Sequence, residues 1–206
     1  MCGFIGSVTN ERISENLLES CNKRIECRGP DEKIVLNNKT FGSNEQFHNF
    51  IFNRLSIIDL SKQASQPMVS DQFNTLIMFN GEIYNHRELR KNLESYKINF
   101  KSSHSDSETL LNGLSYLGFD FLNYINGQFS IFFQNIEKNE YFLIRDRAGQ
   151  KPLYYSYNND QLFFGSDLKS VSNLSNNFSI NNDQLVNYLN FGSTINPNTF
   201  FQNVLM

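Results

Sequence analysis

The sequence predicts an α+β fold with largely antiparallel sheets. Strand-like runs fall in groups, and helical stretches lie between the groups. A parallel sheet would instead need helices alternating with single strands. Two pairs of strand-like runs are joined by short Asn-rich segments, at residues 135–139 and 158–160, and each reads as a hairpin.

Taken in order, residues 2–8 are apolar and small, which suits a buried strand. Residues 14–24 read as a helix with Ser14 as its N-cap. Strand-like runs follow at 33–36, 50–54 and 75–79, with 58–60 as a further candidate. Asn85 caps a helix over 87–95. The run Ser105-Asp106-Ser107-Glu108 has the spacing of a capping box, and its helix should stop near Gly118. Runs 128–134 and 140–144 form the first hairpin, 153–157 and 161–164 the second. Asn182 or Asp183 starts a helix that ends by Gly192. Residues 157–184 are rich in Asn and Ser but are punctuated by apolar side chains, so they are read as ordered. The apolar tail 200–206 reads as a strand beginning. The expectation is one domain over 1–206, cut before a further one.

A chain of 206 residues can bury a substantial core. Its net charge of −3 offers no basic surface for phosphate backbones, so no nucleic-acid partner is expected. Cys2, Cys21 and Cys27 are an odd set, which argues against a disulfide framework and for a reducing compartment. No apolar run reaches the roughly 18–20 residues of a membrane span, and no signal peptide opens the chain. Cytoplasm is the expected location, with no membrane contact. His48, His86 and His104 lack metal-ligand spacing and are read as solvated or capping residues. No phosphate loop or dinucleotide fingerprint is present.

Four places carry candidate chemistry. If Met1 is removed, Cys2 bears a thiol and a free α-amine of pKa about 7.7–8, which can serve as its general base. The alternative is a small buried hydrophobe. Asn80-Gly81 follows an apolar strand; it is either a turn or a pair of oxyanion donors, an amide and a glycine N–H. Arg54 ends a strand, where it is either solvated or grips a carboxylate through two parallel bonds. Asp106 precedes a helix, where it either favours the helix N-terminus or holds an ammonium group. Together Arg54 and Asp106 would fix both charged ends of a free amino acid, whose side-chain carbonyl a thiol could attack. Arg145, Asp146, Arg147 and Lys151 are read as a structural salt network.

These residues sit in motifs that are similar to a known family. MCGFIG opens the chain; RGPD stands at 28–31, RLSIIDLS at 54–61, QPM at 66–68 and FNGEIYN at 79–85. SDSETLL at 105–111, RDRAGQKPLYY at 145–155 and FGSDLKSV at 164–171 complete the set. In order and content they resemble the N-terminal glutaminase domain of glutamine-hydrolysing asparagine synthetases, a class II (N-terminal nucleophile) glutamine amidotransferase. Asn53 and Cys27 stand where that family commonly has histidine.

The resemblance implies a four-layer αββα sandwich of two antiparallel sheets between helices. It implies Cys2 as nucleophile, with Asn80 and Gly81 as the oxyanion hole. Arg54 would bind the α-carboxylate of L-glutamine and Asp106, with Glu82 nearby, its α-amine. Leu55 and Ile57 would line the substrate site, and the loop of Arg28 would help close it. No metal or organic cofactor is implied for glutaminase chemistry. ATP and Mg belong to the synthetase domain, which this chain lacks and which a further domain or separate subunit would supply. A homodimer is an admissible assembly. Two alternatives stay open: a glutaminase half serving amino-sugar or polysaccharide modification, and a non-catalytic glutamine-sensing domain. A thiol redox protein is disfavoured, because no Cys-x-x-Cys pair is present.

Overall fold

The computed structural model describes residues 2–42 and 45–206. In chain order its elements are β1 (Gly3–Thr9), α1 (Glu15–Ile25), β2 (Glu32–Lys39), β3 (Phe47–Arg54), β4 (Met68–Ser70), β5 (Thr75–Ile83) and α2 (His86–Ser95). There follow α3 (Asp106–Leu117), β6 (Gly127–Asn135), β7 (Glu140–Arg145), β8 (Tyr154–Asn158), β9 (Gln161–Gly165), α4 (Leu168–Leu174) and α5 (Asn182–Phe191). They fall into two units, each an antiparallel sheet with helices, which is the α+β class predicted.

The first unit comprises Cys2, Arg28–Ile34 and Phe52–Lys151. Its sheet runs β4-β5-β6-β7. β5 and β6 pair antiparallel from Thr75↔Asn135 to Ile83↔Gly127. Side chains alternate across a strand. Ile77, Phe79 and Ile83 therefore share a face, and with Phe129, Ile131 and Phe133 of β6 they enter a core with Leu110, Leu111 and Leu114 of α3. Leu89 and Leu93 of α2 close it. Leu76, Met78 and Asn80 point the other way. Leu111→Ala empties a fully packed position and should cost about 2–5 kcal/mol. It would be read as a lower urea midpoint at unchanged m-value; a cost near zero would mean that α3 is not seated on this sheet.

The second unit comprises Gly3–Cys27, Val35–Ile51 and Pro152–Met206. Its sheet has the order β2-β3-β1-β9-β8, with β1 and β9 antiparallel from Ile5↔Gly165 to Val8↔Leu162. Ile5, Leu18, Cys21, Ile25, Phe163 and Val171 form its core, and Val204 of the tail is buried in it. Ser14 caps α1 by accepting the Leu17 N–H. Asp167 caps α4 and pairs with Arg24 of α1 at 2.9 Å, which ties the two helices. No helix among the described residues is long and apolar enough to cross a membrane.

The structure departs from the sequence reading at several elements. β4 and α4 were not foreseen, because three residues are too few for a pattern and α4 sits in the Asn- and Ser-rich stretch. Residues 58–60 are not a strand; they belong to a loop tied down by Arg54. The Glu108 carboxylate does not complete a capping box. It accepts from the backbone of Lys101 and Ser102, while Ser105 still caps Glu108. His48 is not solvated: it is fully buried, edge-on to Phe41 and Phe50, and burial pushes its imidazole pKa down. His86 is buried too, its Nδ1 bonded to the Ile83 carbonyl. Within 200–206 only isolated bridges form, such as Tyr155↔Leu205.

Candidate active site

The site begins where β3 ends. The RGPD segment lies against that end so closely that a Cβ on Gly29 would come within 2.2 Å of the Asn53 carbonyl oxygen, which demands glycine. The Asp31 N–H donates to the Arg54 carbonyl at 3.1 Å, and the Ser56 N–H returns a bond to the Asp31 carboxylate at 2.7 Å. Arg54 is buried. Its Nη1 donates to Glu32 at 3.3 Å and to the Ser61 carbonyl at 3.0 Å, and its Nη2 to the Asp59 carbonyl. These bonds curl residues 55–61 around the guanidinium. Among the described residues they leave the Nε–H and one Nη2 N–H without a partner.

β5 brings the next groups. Asn80-Gly81 is not a turn: it lies inside the strand, paired with Ser130 and Phe129 of β6. Gly81 is glycine for a packing reason, since a Cβ there would meet the Gln128 carbonyl oxygen at 2.1 Å. Asn80 is fully buried, and neither its Nδ2 nor its Oδ1 has a hydrogen-bond partner among the described residues. Such a group costs stability and is kept where something else needs it. Gln66 fixes the same strand: its Oε1 accepts the Phe79 N–H at 2.6 Å, and its Nε2 reaches Ser107 of α3 at 3.1 Å.

At the start of α3, Asp106 accepts the Ile83 N–H at 3.3 Å and the Ser107 N–H at 2.9 Å. Burial pushes its carboxyl above the usual range, against the pull of these N–H groups and of His86. The Cys2 thiol accepts the Leu55 N–H at 3.3 Å and faces the Leu55 carbonyl at 3.7 Å. Burial raises its pKa, the Leu55 N–H opposing, so the thiol stays protonated through neutral pH. A thiol in this state needs an activating base before it can act as a nucleophile.

All these groups open on one cavity of about 140 Å³. That is below the roughly 300–1,000 Å³ of drug-sized sites and suits a small metabolite. Cys2, Arg54, Asn80, Gly81 and Asp106 line it, as do Leu55, Ile57 and Glu82. Arg28 is not in the wall; its Nε donates to the Cys2 carbonyl at 3.3 Å and so steadies the chain start.

A family model described as a glutamine amidotransferase domain matches residues 1–206. The chain is a glutamine amidotransferase domain. It is similar to a glutamine-hydrolysing asparagine synthetase of Bacillus subtilis, 33% identical over 204 residues, which are 97% of this chain and 31% of that protein. A second glutamine-hydrolysing asparagine synthetase, from Arabidopsis thaliana, is 29% identical over 84% of this chain and 28% of its own length. The domain thus spans about a third of the curated relatives it matches. Among solved structures it is similar to glutamine phosphoribosylpyrophosphate amidotransferase from B. subtilis, with a TM-score of 0.65 at 16% identity over 84% of this chain and 44% of that one. The likeness shows the fold alone, which the chain shares with that amidotransferase.

The cavity wall of the amidotransferase domain also holds residues to which the sequence reading gave no part in the substrate site: Asp59, Gln66, Gln128 and Lys151. Around Lys151 the chain forms a backbone-tied turn. Asp146 accepts the N–H groups of Phe129, Ala148, Gln150 and Lys151. Burial opposes its ionisation, but these donors hold its carboxyl below the usual range. Arg145 donates to the carbonyls of Gly149 and Lys151. The turn delivers Lys151 to the wall as a buried amine, its pKa pushed down by burial and then by the charge of Arg28.

Proposed function

We propose that this domain hydrolyses L-glutamine to glutamate and ammonia through a thioester on Cys2. The observation that carries the reading is the buried Asn80 amide without a partner, in the same wall as the Cys2 thiol, Arg54 and Asp106. In the proposed step Met1 is absent and the Cys2 α-amine takes the thiol proton. The sulfur attacks the side-chain carbonyl carbon of glutamine, and the oxygen collects the electron pair as an oxyanion. Asn80 Nδ2 and the Gly81 N–H stabilise it. The ammonium formed from the amine protonates the leaving nitrogen, the C–N bond breaks, and ammonia departs. Water, deprotonated by the same amine, then cleaves the γ-glutamyl thioester. Arg54 holds the α-carboxylate and Asp106, with Glu82 near, the α-ammonium; Leu55 and Ile57 bound the substrate, and Arg28 orders the chain start.

No metal or organic cofactor enters this step. The ammonia would serve ATP- and Mg-dependent amidation of aspartate or a related carboxylate by a synthetase domain or subunit, the activity suggested by the names of the relatives. The test is release of glutamate and ammonia in equal amounts from L-glutamine by the chain freed of Met1. A chain that binds glutamine without release would be a sensor; one that does neither would sink the proposal.

The pH profile of kcat/KM has a defined sign. The amine must be neutral, so the rate should fall as pH drops through about 7.7–8. Asp106 must be ionised to hold an ammonium, and burial raises its pKa, so its protonation adds a second acid limb of the same sign. A rate that rises on acidification would exclude the amine as base.

A further inference from the structure

Asp59 lies in the segment that curls around Arg54, and it lines the same cavity. It is only 5% exposed. Its Oδ1 accepts the Ser61 N–H at 2.8 Å. Its Oδ2 is buried with no hydrogen-bond partner among the described residues. A bare carboxylate oxygen out of water is costly and calls for a donor from elsewhere. Asp106 differs: each of its oxygens already accepts a backbone N–H. The charges differ in the same sense. Burial opposes the ionisation of Asp59, but Ser61, His104 and Arg54 outweigh it and hold its carboxyl below the usual range, whereas burial pushes Asp106 up. An ionised carboxylate oxygen left bare in this way is best matched by a cationic N–H donor. The guanidinium of Arg54, bonded to the Asp59 main-chain carbonyl, sets a carboxylate grip beside it.

We propose that Asp59 Oδ2 accepts a hydrogen bond from the α-ammonium of the bound amino acid, alongside Asp106, and so makes the site select a free α-amine. This rests on the glutaminase reading. An ammonium has three N–H donors to satisfy out of water, and both oxygens of Asp106 already accept backbone N–H groups. With Asp59 added to Asp106, and Glu82 near, the substrate would lie as a zwitterion between Arg54 and these carboxylates.

The test compares L-glutamine with glutaramate, the same molecule without its α-amine, in the native chain and in Asp59→Asn. Asparagine keeps an oxygen for the Ser61 N–H and the main-chain carbonyl for Arg54, so the loop should stand; equal melting temperatures check this. For L-glutamine, kcat/KM should fall about 10–100-fold, the usual effect of losing a hydrogen bond to a charged group, mainly through KM. For glutaramate it should stay within about twofold. Equal losses for both substrates would mean that Asp59 only shapes the loop, and no loss for glutamine would mean that the oxygen meets no substrate; either overturns the proposal. If the native chain does not turn over, the hydrolysis reading fails on its own, and calorimetric binding of the same two ligands to Cys2→Ala with and without Asp59→Asn decides the role of Asp59. Absence of glutamine binding as well would overturn both.

Discussion

Replacing Cys2 by alanine will stop ammonia release while L-glutamine still binds. The loss should be on the order of 10⁴-fold or more, as for removal of a nucleophile in other acyl-transfer enzymes. Binding should survive because the charged ends of glutamine are assigned to Arg54 and to carboxylates, not to the thiol. A second form separates the thiol from its base. If Met1 is retained, the Cys2 nitrogen is an amide and cannot take a proton, although the sulfur is untouched. Burial keeps that thiol protonated, so the Met1-bearing chain should be nearly as inactive as Cys2→Ala. Calorimetry for binding and coupled glutamate detection for turnover make the comparison. Release that persists in Cys2→Ala would place the nucleophile elsewhere, and full activity with Met1 in place would mean that another group is the base.

The elements that sequence reading located are those whose signals are local. Ser14 before an amphipathic run and Gly192 after one mark helix ends by chemistry that does not depend on the rest of the chain, and both hold. The two hairpins were legible for the same reason. Asn159 and Asp160 adopt the left-handed backbone conformation that their short polar side chains tolerate. Asn80-Gly81 misleads because the same dipeptide that favours turns also fits a strand where a neighbouring backbone comes too close for any Cβ. Only the pairing of β5 with β6 distinguishes the two. Residues 58–60 look like a strand because Ile58 and Leu60 alternate with the polar Asp59, yet the bonds from Arg54 to the carbonyls of Asp59 and Ser61 curl the segment into a loop.

The site divides along the same line. Cys2, Arg54 and Asp106 were candidates because each has chemistry of its own. Gln66, Asp59 and Lys151 were not, although all three stand inside motifs that were noticed. What they do is set by distant partners: Gln66 bridges Phe79 and Ser107, and the turn of Asp146 carries Lys151 to the wall. Spacing in sequence holds no trace of such contacts. Arg28 is the reverse case. The family resemblance suggested a closing loop there, while the contact that the fold shows, from its Nε to the Cys2 carbonyl, could not be read from spacing.

Asn80→Ala should lower kcat about 10²–10³-fold, the typical cost of one missing oxyanion donor. KM for L-glutamine should change little, because the amide is aimed at charge that develops only in the transition state. Stability sharpens the prediction. An ordinary buried asparagine is bonded, and its truncation leaves a partner stranded at a cost of about 1–3 kcal/mol. Here neither amide atom has a partner to strand among the described residues, so the melting temperature should hold or rise slightly while turnover collapses. Thermal melts and steady-state kinetics on one preparation separate the cases. A large loss of stability would show that the amide is bonded in solution and belongs to the core. Unchanged turnover would mean that the oxyanion is held without it, leaving the Gly81 N–H as the donor. Loss of rate without loss of stability is the mark of a group kept unsatisfied in the resting protein because the reaction uses it.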